Sequence, residues 1–541
     1  MSDYFSHIVK ILKERRVVKQ DMNALKNKLA LKYKLRRVPT DIEILLNCSN
    51  EEYKEIKGKI KTKPTRTGSG VAVIAIMTKP FECPHGKCIM CPGGVGSGFG
   101  DVPQSYTGRE PATMRGIRNR YDPYLQIFNR LEQYIILGHN PEKIELIVMG
   151  GTFPSFPSEY KEEFIKYSFK AMNDFSLMFY KGGLDLIKFK EFFEMPGDIY
   201  DKDRTARIQK KLLELKGECV LEKEQLKNEK AKIRCVALCI ETRPDYCKKE
   251  HIAEMLRFGC TRVELGVQSV YDDVLDKIER GHTVEDSIEA TKLLKEAFLK
   301  VGYHMMPGLP GVDLTMDLDS LKEIISNPKF RPDALKIYPC MVMKGTRLYD
   351  LYKKGEYKPM STDEAVKLIT EFKRHVPEWM RIMRVQRDIP TKVTEAGVDL
   401  TNLRQLVHEK GAKCRCIRCR EPRGKRIKVS DVEYKVQEYG ASRGTEFFIS
   451  AEQDDVLLGF CRLRVGERVG IRELHVYGTA LGIGEEGNVQ HKGIGKELLR
   501  RAEKIGFKYS NKIFVISGVG AREYYKKLGY GRDGVYMVKI L

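Results

Sequence analysis

The chain has 541 residues, 42% hydrophobic and 31% charged, with a formal net charge of +22. That length excludes one ordinary core and predicts about two to four domains; with no apolar run near the ~18 residues of a membrane helix and no signal-peptide stretch, no membrane partner and a cytoplasmic location are expected. The basic excess points to a polyanionic partner, because each neutralised phosphate releases a counterion.

Residues 1–67 are helical in pattern and basic, with 17 Lys/Arg against 8 Asp/Glu. Within them "RVPTDIEIL" offers Thr40 as an N-cap with Glu43 three residues on, a capping box. From about 70 to 345, strand runs alternate with helical stretches: 71–77, 144–151, 234–242, 262–269, 301–310 and 333–340 as strands, 246–258, 284–299 and 317–326 as helices. Such alternation predicts an α/β fold with a parallel sheet or barrel, whose active residues sit at the C-terminal strand ends. A charged insertion at 155–232 reads either as extra helices or as an elaboration for a partner. Residues 346–400 read as mostly helical and hold the single tryptophan, Trp379. Residues 403–428 carry ten Lys/Arg against two Glu. The last stretch patterns as strands near 445–465 and 470–477, a helix at 493–508, a strand at 512–517 and a helix at 520–528. The resulting division is a basic region at 1–67, a strand–helix domain at 68–395, a basic linker at 396–430 and a compact α/β domain at 431–541.

Two of the cysteine groupings are tight, and in a reducing compartment tight groups point to metal more than to disulfides. "CPHGKCIMCPGG" sets Cys83, Cys88 and Cys91 as C-x4-C-x2-C directly after the first strand run. Three thiolates hold three irons of a [4Fe–4S] cluster and leave the fourth iron open for a ligand. S-adenosylmethionine (SAM) can chelate that iron, and an electron then cleaves it to a 5′-deoxyadenosyl radical. The alternative is a zinc site completed by a fourth ligand such as His85. "MGGTF" ends the next strand, so Gly150, Gly151 and Thr152 can bring backbone against SAM. Together the two motifs resemble the radical SAM family, although the common family spacing is C-x3-C-x2-C and here one residue is added. Glu241, Arg243 and Gln268, at later strand ends, are candidate polar contacts to SAM; the alternative is ordinary barrel hydrogen bonding.

"QHKGIGKELL" places Gln490, Lys492, Gly493, Ile494 and Gly495 ahead of a helix. A glycine turn at a helix N-terminus aims N–H groups at a pyrophosphate. This resembles the acetyl-CoA loop of GNAT-type acetyltransferases. The preceding strand, with Glu473, Leu474, His475 and Val476, can pair with the pantetheine amides, and Tyr524 or Tyr525 can bond the sulfur or acyl group unless they pack in the core. Neither Glu473 nor His475 stands out as a general base for lysine acetylation. In the linker, Cys414, Cys416 and Cys419 form C-x-C-x2-C, with His408, or alternatively Cys340, to complete a zinc site; metal would stabilise a segment poor in apolar residues. Its arginines and lysines read as a phosphate-contact surface.

The expected fold is therefore α/β: a radical SAM partial (β/α) barrel, a small zinc-binding linker and a C-terminal GNAT-like domain. This combination, with "KYKLRRVPTDIEIL", "QSYTGREPATMRGIRNRYDP", "VMGGTF", "ELHVYG" and "VISGVGAREYYKKLGY", resembles the catalytic subunit of the Elongator family over nearly the whole chain. The resemblance implies carboxymethylation of the tRNA wobble uridine at carbon 5: a SAM-derived radical abstracts hydrogen from the acetyl methyl of acetyl-CoA, the carbon radical adds to uracil, and the thioester is hydrolysed. It also implies an acetyl-CoA role for Lys143, tRNA contacts from the basic region and linker, an electron donor, and Elongator-type subunits or a homo-oligomer. Competing readings are a protein lysine acetyltransferase with a structural iron–sulfur domain, and a non-enzymatic tRNA-binding scaffold.

Overall fold

The computed structural model describes residues 2–14, 17, 19–198, 201–422, 431–478 and 493–541. Among them no helix is long and apolar enough to cross a membrane. The basic region folds as short helices, Ser2–Glu14, Lys19–Lys32, Asp41–Leu46 and Asn50–Ile56. The expected capping box is present: Thr40 Oγ1 accepts the Glu43 N–H (3.2 Å) and the Glu43 carboxylate accepts the Thr40 N–H (2.8 Å). The helices bury Tyr4, Ile8, Leu12, Ile44 and Leu45, and Tyr53 Oη donates to the Ile135 carbonyl (2.7 Å), which ties them to the barrel.

The barrel begins with β1 (Ala72–Met77), followed by a small hairpin of β2 (Gly94–Ser97) and β3 (Gly100–Val102). β4 (Lys143–Met149), β5 (Arg234–Thr242), β6 (Arg262–Gln268), β7 (Lys300–Met305), β8 (Ala334–Ile337) and β9 (Arg381–Arg384) complete one sheet in the order β1-β4-β5-β6-β7-β8-β9. Every pairing in it is parallel. This is the expected partial barrel. Only the first half of 346–400 is α-helical, as Arg347–Lys353 and Thr362–Lys373; the second half holds one short 3-10 turn, Thr391–Val393. Beyond the helices "RIMR" joins the sheet as β9, which buries Ile382, leaves Arg381 and Met383 half-buried and exposes Arg384. The insertion supplies extra helices, Ser158–Phe179, Leu186–Phe192, Lys202–Lys216 and Leu221–Asn228, around a phenylalanine core that includes Phe169, Phe175, Phe179 and Phe189.

The C-terminal domain holds β10 (Glu433–Ala441), β11 (Gly444–Gln453), β12 (Val456–Val465), β13 (Val469–Val476), β14 (Lys512–Val515), β15 (Gly531–Asp533) and β16 (Tyr536–Ile540), ordered β10-β11-β12-β13-β14-β16-β15. β13 and β14 are parallel and pair only at Gly470↔Phe514 and Ile471↔Val515 before they diverge. This domain docks on the floor of the barrel, the N-terminal end of its strands. Arg472 bonds Asp333 (2.5 Å) and Glu446 (2.9 Å), Lys300 bonds Glu473 (3.1 Å), and Arg381 donates to Tyr477 Oη (2.7 Å). Arg472, Asp333, Glu446 and Lys295 are all buried there, so the join is a pairing of desolvated charges.

Candidate active site

β1 and β4 end side by side, and the turns that follow them make the barrel mouth. Gly150 and Gly151 have φ of 126° and 117°, a region side chains disfavour. A Cβ at Gly150 would lie 2.2 Å from Thr78 Oγ1, so glycine alone lets this turn close on β1. Thr152 then comes within 3.9 Å of Cys83 Sγ. Cys88 and Cys91 are buried, and the Ser105 N–H donates to Cys91 Sγ (3.3 Å). Burial pushes the Cys83 thiol up to about 11, against the opposing charges of Arg280 and Arg243. Thiolate formation there needs a metal to drive it.

The polar ends of β5 and β6 converge on the same loop. Arg243 is fixed by Asp245 (2.9 Å) and the Gly281 carbonyl (2.8 Å), yet its Nη1 is buried with no hydrogen-bond partner among the described residues. The same holds for Gln268 Oε1, Thr242 Oγ1, Arg280 Nε and His85 Nδ1. Unsatisfied buried groups of this kind are costly, and their concentration at one mouth marks a ligand that completes them. The donor set therefore fits a cluster with a polar, charged co-ligand such as SAM. Glu241 is turned the other way: it pairs with Lys336 (2.7 Å) and accepts from Tyr106 Oη (3.3 Å) inside the barrel.

That interior is a polar layer. Glu145 pairs with Arg262 (2.5 Å), Arg262 with Glu264 (3.2 Å), and Glu264 with His304 (2.9 Å) and Lys336. Glu241, Glu264 and His304 lie within 4.8 Å of one another, but the Lys336 ammonium already bonds both carboxylates. Sequence reasoning missed this layer, along with Gln104 and Arg280 beside the thiols. Its signal was a lone charge in otherwise apolar strands: Glu145, Glu264, His304 and Lys336.

The two cysteine trios differ in spacing. Cys414, Cys416 and Cys419 have sulfurs within 4.8 Å of one another, which suits one ion with Zn–S bonds of about 2.3 Å. Cys83, Cys88 and Cys91 do not form such a set, as a multi-iron cluster requires. His408 is outside the close trio, and Cys340 is buried in the apolar cluster beneath Cys88 and Cys91, far from the linker in the fold. The linker is pinned between domains: Ile417 N–H donates to the Met380 carbonyl (2.9 Å), Arg420 pairs with Glu452 (2.5 Å) and Arg415 with Glu378 (2.5 Å) and Asp455 (3.0 Å). Arg418 pairs with Glu421 (2.8 Å). These arginines were expected to meet phosphate; Arg420 is buried against its carboxylate, whereas Arg415 and Arg418 pair with carboxylates and stay partly exposed. Arg404 donates to the Ile382 and Met383 carbonyls, Lys410 and Lys413 are exposed, and the linker cations at 423–428 lie outside the described residues.

In the C-terminal domain, Gly493 (φ 86°) caps the helix Ile494–Gly506. A Cβ at Gly495 would meet Tyr524 Oη at 3.1 Å and Val476 Cγ2 at 3.5 Å, so helix start, strand end and hydroxyl converge. Of the tyrosine pair, Tyr524 faces this point, whereas Tyr525 is buried in the domain core against Tyr530. Leu474 pairs with Cys461 in the β12–β13 ladder. Glu473 is held down to about 2: burial opposes this, but Lys300 and Arg462 outweigh it. His475 Nε2 bonds the Ser69 carbonyl (3.0 Å) and burial lowers its pKa. Both side chains belong to the domain join. Gln490 and Lys492 lie outside the described residues. Lys143 starts β4, paired in register with Arg234 at the floor, so a seven-residue strand, about 23 Å, separates it from the thiols. Burial lowers its pKa.

Known families match in the same order along the chain: the ELP3 N-terminal domain at 1–68, the radical SAM superfamily at 81–324, the radical SAM C-terminal domain at 332–413 and the acetyltransferase (GNAT) family at 417–530. A Methanocaldococcus jannaschii protein named tRNA uridine(34) acetyltransferase is 47% identical over 530 residues, covering 93% of this chain and 90% of its own length. Human Elongator complex protein 3 is 40% identical over 556 residues, covering 96% and 93%. The solved structure of archaeal Methanocaldococcus infernus Elp3, with residues 1–46 deleted, is similar at a TM-score of 0.69 and 40% identity, over 87% of this chain and 100% of that one.

Proposed function

The chain belongs to the Elongator complex protein 3 family, and from that premise we propose that it carboxymethylates the wobble uridine of tRNA at carbon 5, with acetyl-CoA and SAM as co-substrates. The observation that carries the reading is the ring of buried, unpartnered polar atoms around three widely spaced cysteines, in one chain with an acyl-CoA-type helix start.

When bound, the cluster and SAM supply radical chemistry, which an acetyl methyl needs because it is too weakly acidic for polar coupling to an unactivated ring carbon. Cys83, Cys88 and Cys91 would hold the irons. The Gly150–Thr152 backbone, Arg243 and Gln268 would orient SAM and keep water out. Gly493, Ile494 and Gly495 would present N–H groups to the CoA pyrophosphate, with Tyr524 over the acyl end. Lys143 stands at the floor, where that acyl end would arrive, and the Glu145–Arg262–Glu264–Lys336 layer lines the barrel between floor and mouth. A zinc ion held by Cys414, Cys416 and Cys419 would fasten the linker. The basic N-terminal helices would track tRNA phosphates, an external donor would supply the electron, and the protein would act in the cytoplasm, alone or with Elongator-type subunits.

The test is anaerobic incubation with reductant, SAM, acetyl-CoA and tRNA, followed by nucleoside mass spectrometry. A carboxymethyl gain on uridine that is lost at least ~10³-fold in Cys88→Ala is the expected result. Acetyl-lysine as the sole product, unaffected by Cys88→Ala, would defeat the proposal in favour of a lysine acetyltransferase.

A further inference from the structure

The three thiols at the mouth do not share one environment. Cys91 meets the neutral Ser105 N–H and the Gln104 side chain, each at 3.3 Å. Cys83 faces the Thr152 hydroxyl at 3.9 Å. Cys88 alone meets Arg280 Nη1, at 3.7 Å, and His85 Nε2, at 3.2 Å. Of these two partners, Arg280 is a permanent cation.

Both partners are fixed from behind. Arg280 Nη2 donates to the Gly266 carbonyl (2.8 Å), and the Arg280 N–H donates to the Leu275 carbonyl (2.9 Å). The His85 ring lies against Gly281, where a Cβ would come within 2.7 Å of His85 Cβ. Gly281 also has φ of 70°, so glycine is needed there for conformation and for space. The cysteine loop is stitched to the same segment: Ile89 N–H donates to the Ile278 carbonyl (3.2 Å). The loop after the helix Asp272–Lys277 thus clamps the cysteine loop and puts a cation in direct contact with one sulfur, Cys88, while its charge also reaches Cys83.

A cluster that accepts an electron gains negative charge, and donors to a ligand sulfur stabilise that state. We propose that Arg280, supported by His85, is a positioning residue that raises the reduction potential of the cluster through the Cys88 sulfur. The inference rests on the reading that Cys83, Cys88 and Cys91 hold an iron–sulfur cluster.

The experiment compares full-length, reconstituted wild type, Arg280→Gln, which keeps a neutral N–H, and Arg280→Met, which keeps none. Iron and sulfide content are measured first, then the midpoint potential by an EPR-monitored titration without SAM. The expected result is equal iron and potentials falling from wild type through Arg280→Gln to Arg280→Met. At a fixed poise the Arg280→Met cluster would be about tenfold less reduced, which is 59 mV for one electron. Three equal potentials at full iron content overturn the proposal, and equal potentials with weakened SAM binding assign Arg280 to SAM instead. If Arg280→Met alone loses iron, wild type against Arg280→Gln decides. Iron loss from both variants also overturns it, in favour of holding the loop together. A wild type that binds no iron defeats the underlying reading, and the inference with it.

Discussion

Asp317 and Asp333 flank the same barrel at opposite ends and are both buried, 5% and 2% exposed. Asp317, at the mouth, accepts the Gly308 N–H (2.8 Å) and makes no ion pair among the described residues; burial, with Asp313 adding to it, pushes its carboxyl up to about 7. Burial acts on Asp333 too, but Arg472, Lys295 and Arg462 outweigh it and hold that carboxyl far below the usual range. The same residue type, equally buried, has its neutral form favoured at one end and its charged form at the other by its company. The contrast extends to the ends as wholes. At the floor, Arg462, Arg472, Lys295, Lys300, Glu446 and Glu473 all lie within 4 Å of an opposite charge. Arg472 Nε and Lys295 Nζ there lack hydrogen bonds, but their groups face carboxylates; at the mouth, Gln268 Oε1, Thr242 Oγ1 and His85 Nδ1 have no partner of either kind among the described residues. The floor is a weld between domains, and the mouth holds back its polar groups for a ligand.

The floor offers the largest effect. Asp333→Ala leaves Arg472 and its neighbours buried with too little opposite charge, and breaking such a pair costs about 3–5 kcal/mol. Urea unfolding should register that loss, with the C-terminal domain separating from the barrel first in limited proteolysis. A loss under about 1 kcal/mol would mean that the join is held by apolar packing and that the charges are incidental.

The mouth aspartate is expected to show a pH signature. Its folded pKa stands above its unfolded value, so its contribution is fully present below about pH 4 and is lost as pH rises toward 7, where the carboxylate must be buried charged. On this count wild-type stability falls by roughly 2–4 kcal/mol across that window. Asp317→Asn keeps an oxygen for the Gly308 N–H and should remove that slope. Parallel unfolding curves for the two proteins at pH 5 and pH 8 would show instead that Asp317 stays charged and that water or an unrecognised cation reaches it.

Much of this architecture was legible because the barrel strands are continuous apolar runs and because the metal and phosphate motifs lie within single loops. Cys83, Cys88, Cys91, Gly150 and Gly493 declare themselves by local spacing. What was not legible comes from groups that only the fold assembles. Arg280 reaches Cys88 from a segment nearly two hundred residues later in the chain. Asp333 reads as the opening residue of a strand until Arg472 of another domain meets it. β9 was lost because four residues at a sheet edge, two apolar between two arginines, carry too little pattern. The linker arginines were only half legible, for the opposite reason. Charge counted along a sequence says nothing of how much is already neutralised, and Arg415, Arg418 and Arg420 each meet a carboxylate.

The smallest expected effect separates weld from ligand site by its sign. Gln268 ends β6 with φ of 70°, and its Oε1 is buried without a partner among the described residues. A side chain selected for stability would not combine strain with an unsatisfied carbonyl. Gln268→Met keeps the length and removes the polar atoms, so without SAM the variant should be more stable by about 1 kcal/mol. Its affinity for SAM, read by calorimetry on the reconstituted protein, should fall about tenfold, the equivalent of ~1.4 kcal/mol. Stability and binding would then move in opposite directions at the mouth, whereas at the floor removing a partner costs stability. If Gln268→Met instead destabilises the protein and leaves SAM binding intact, Gln268 is an ordinary barrel residue and the orphaned atoms of the mouth mark imperfect packing.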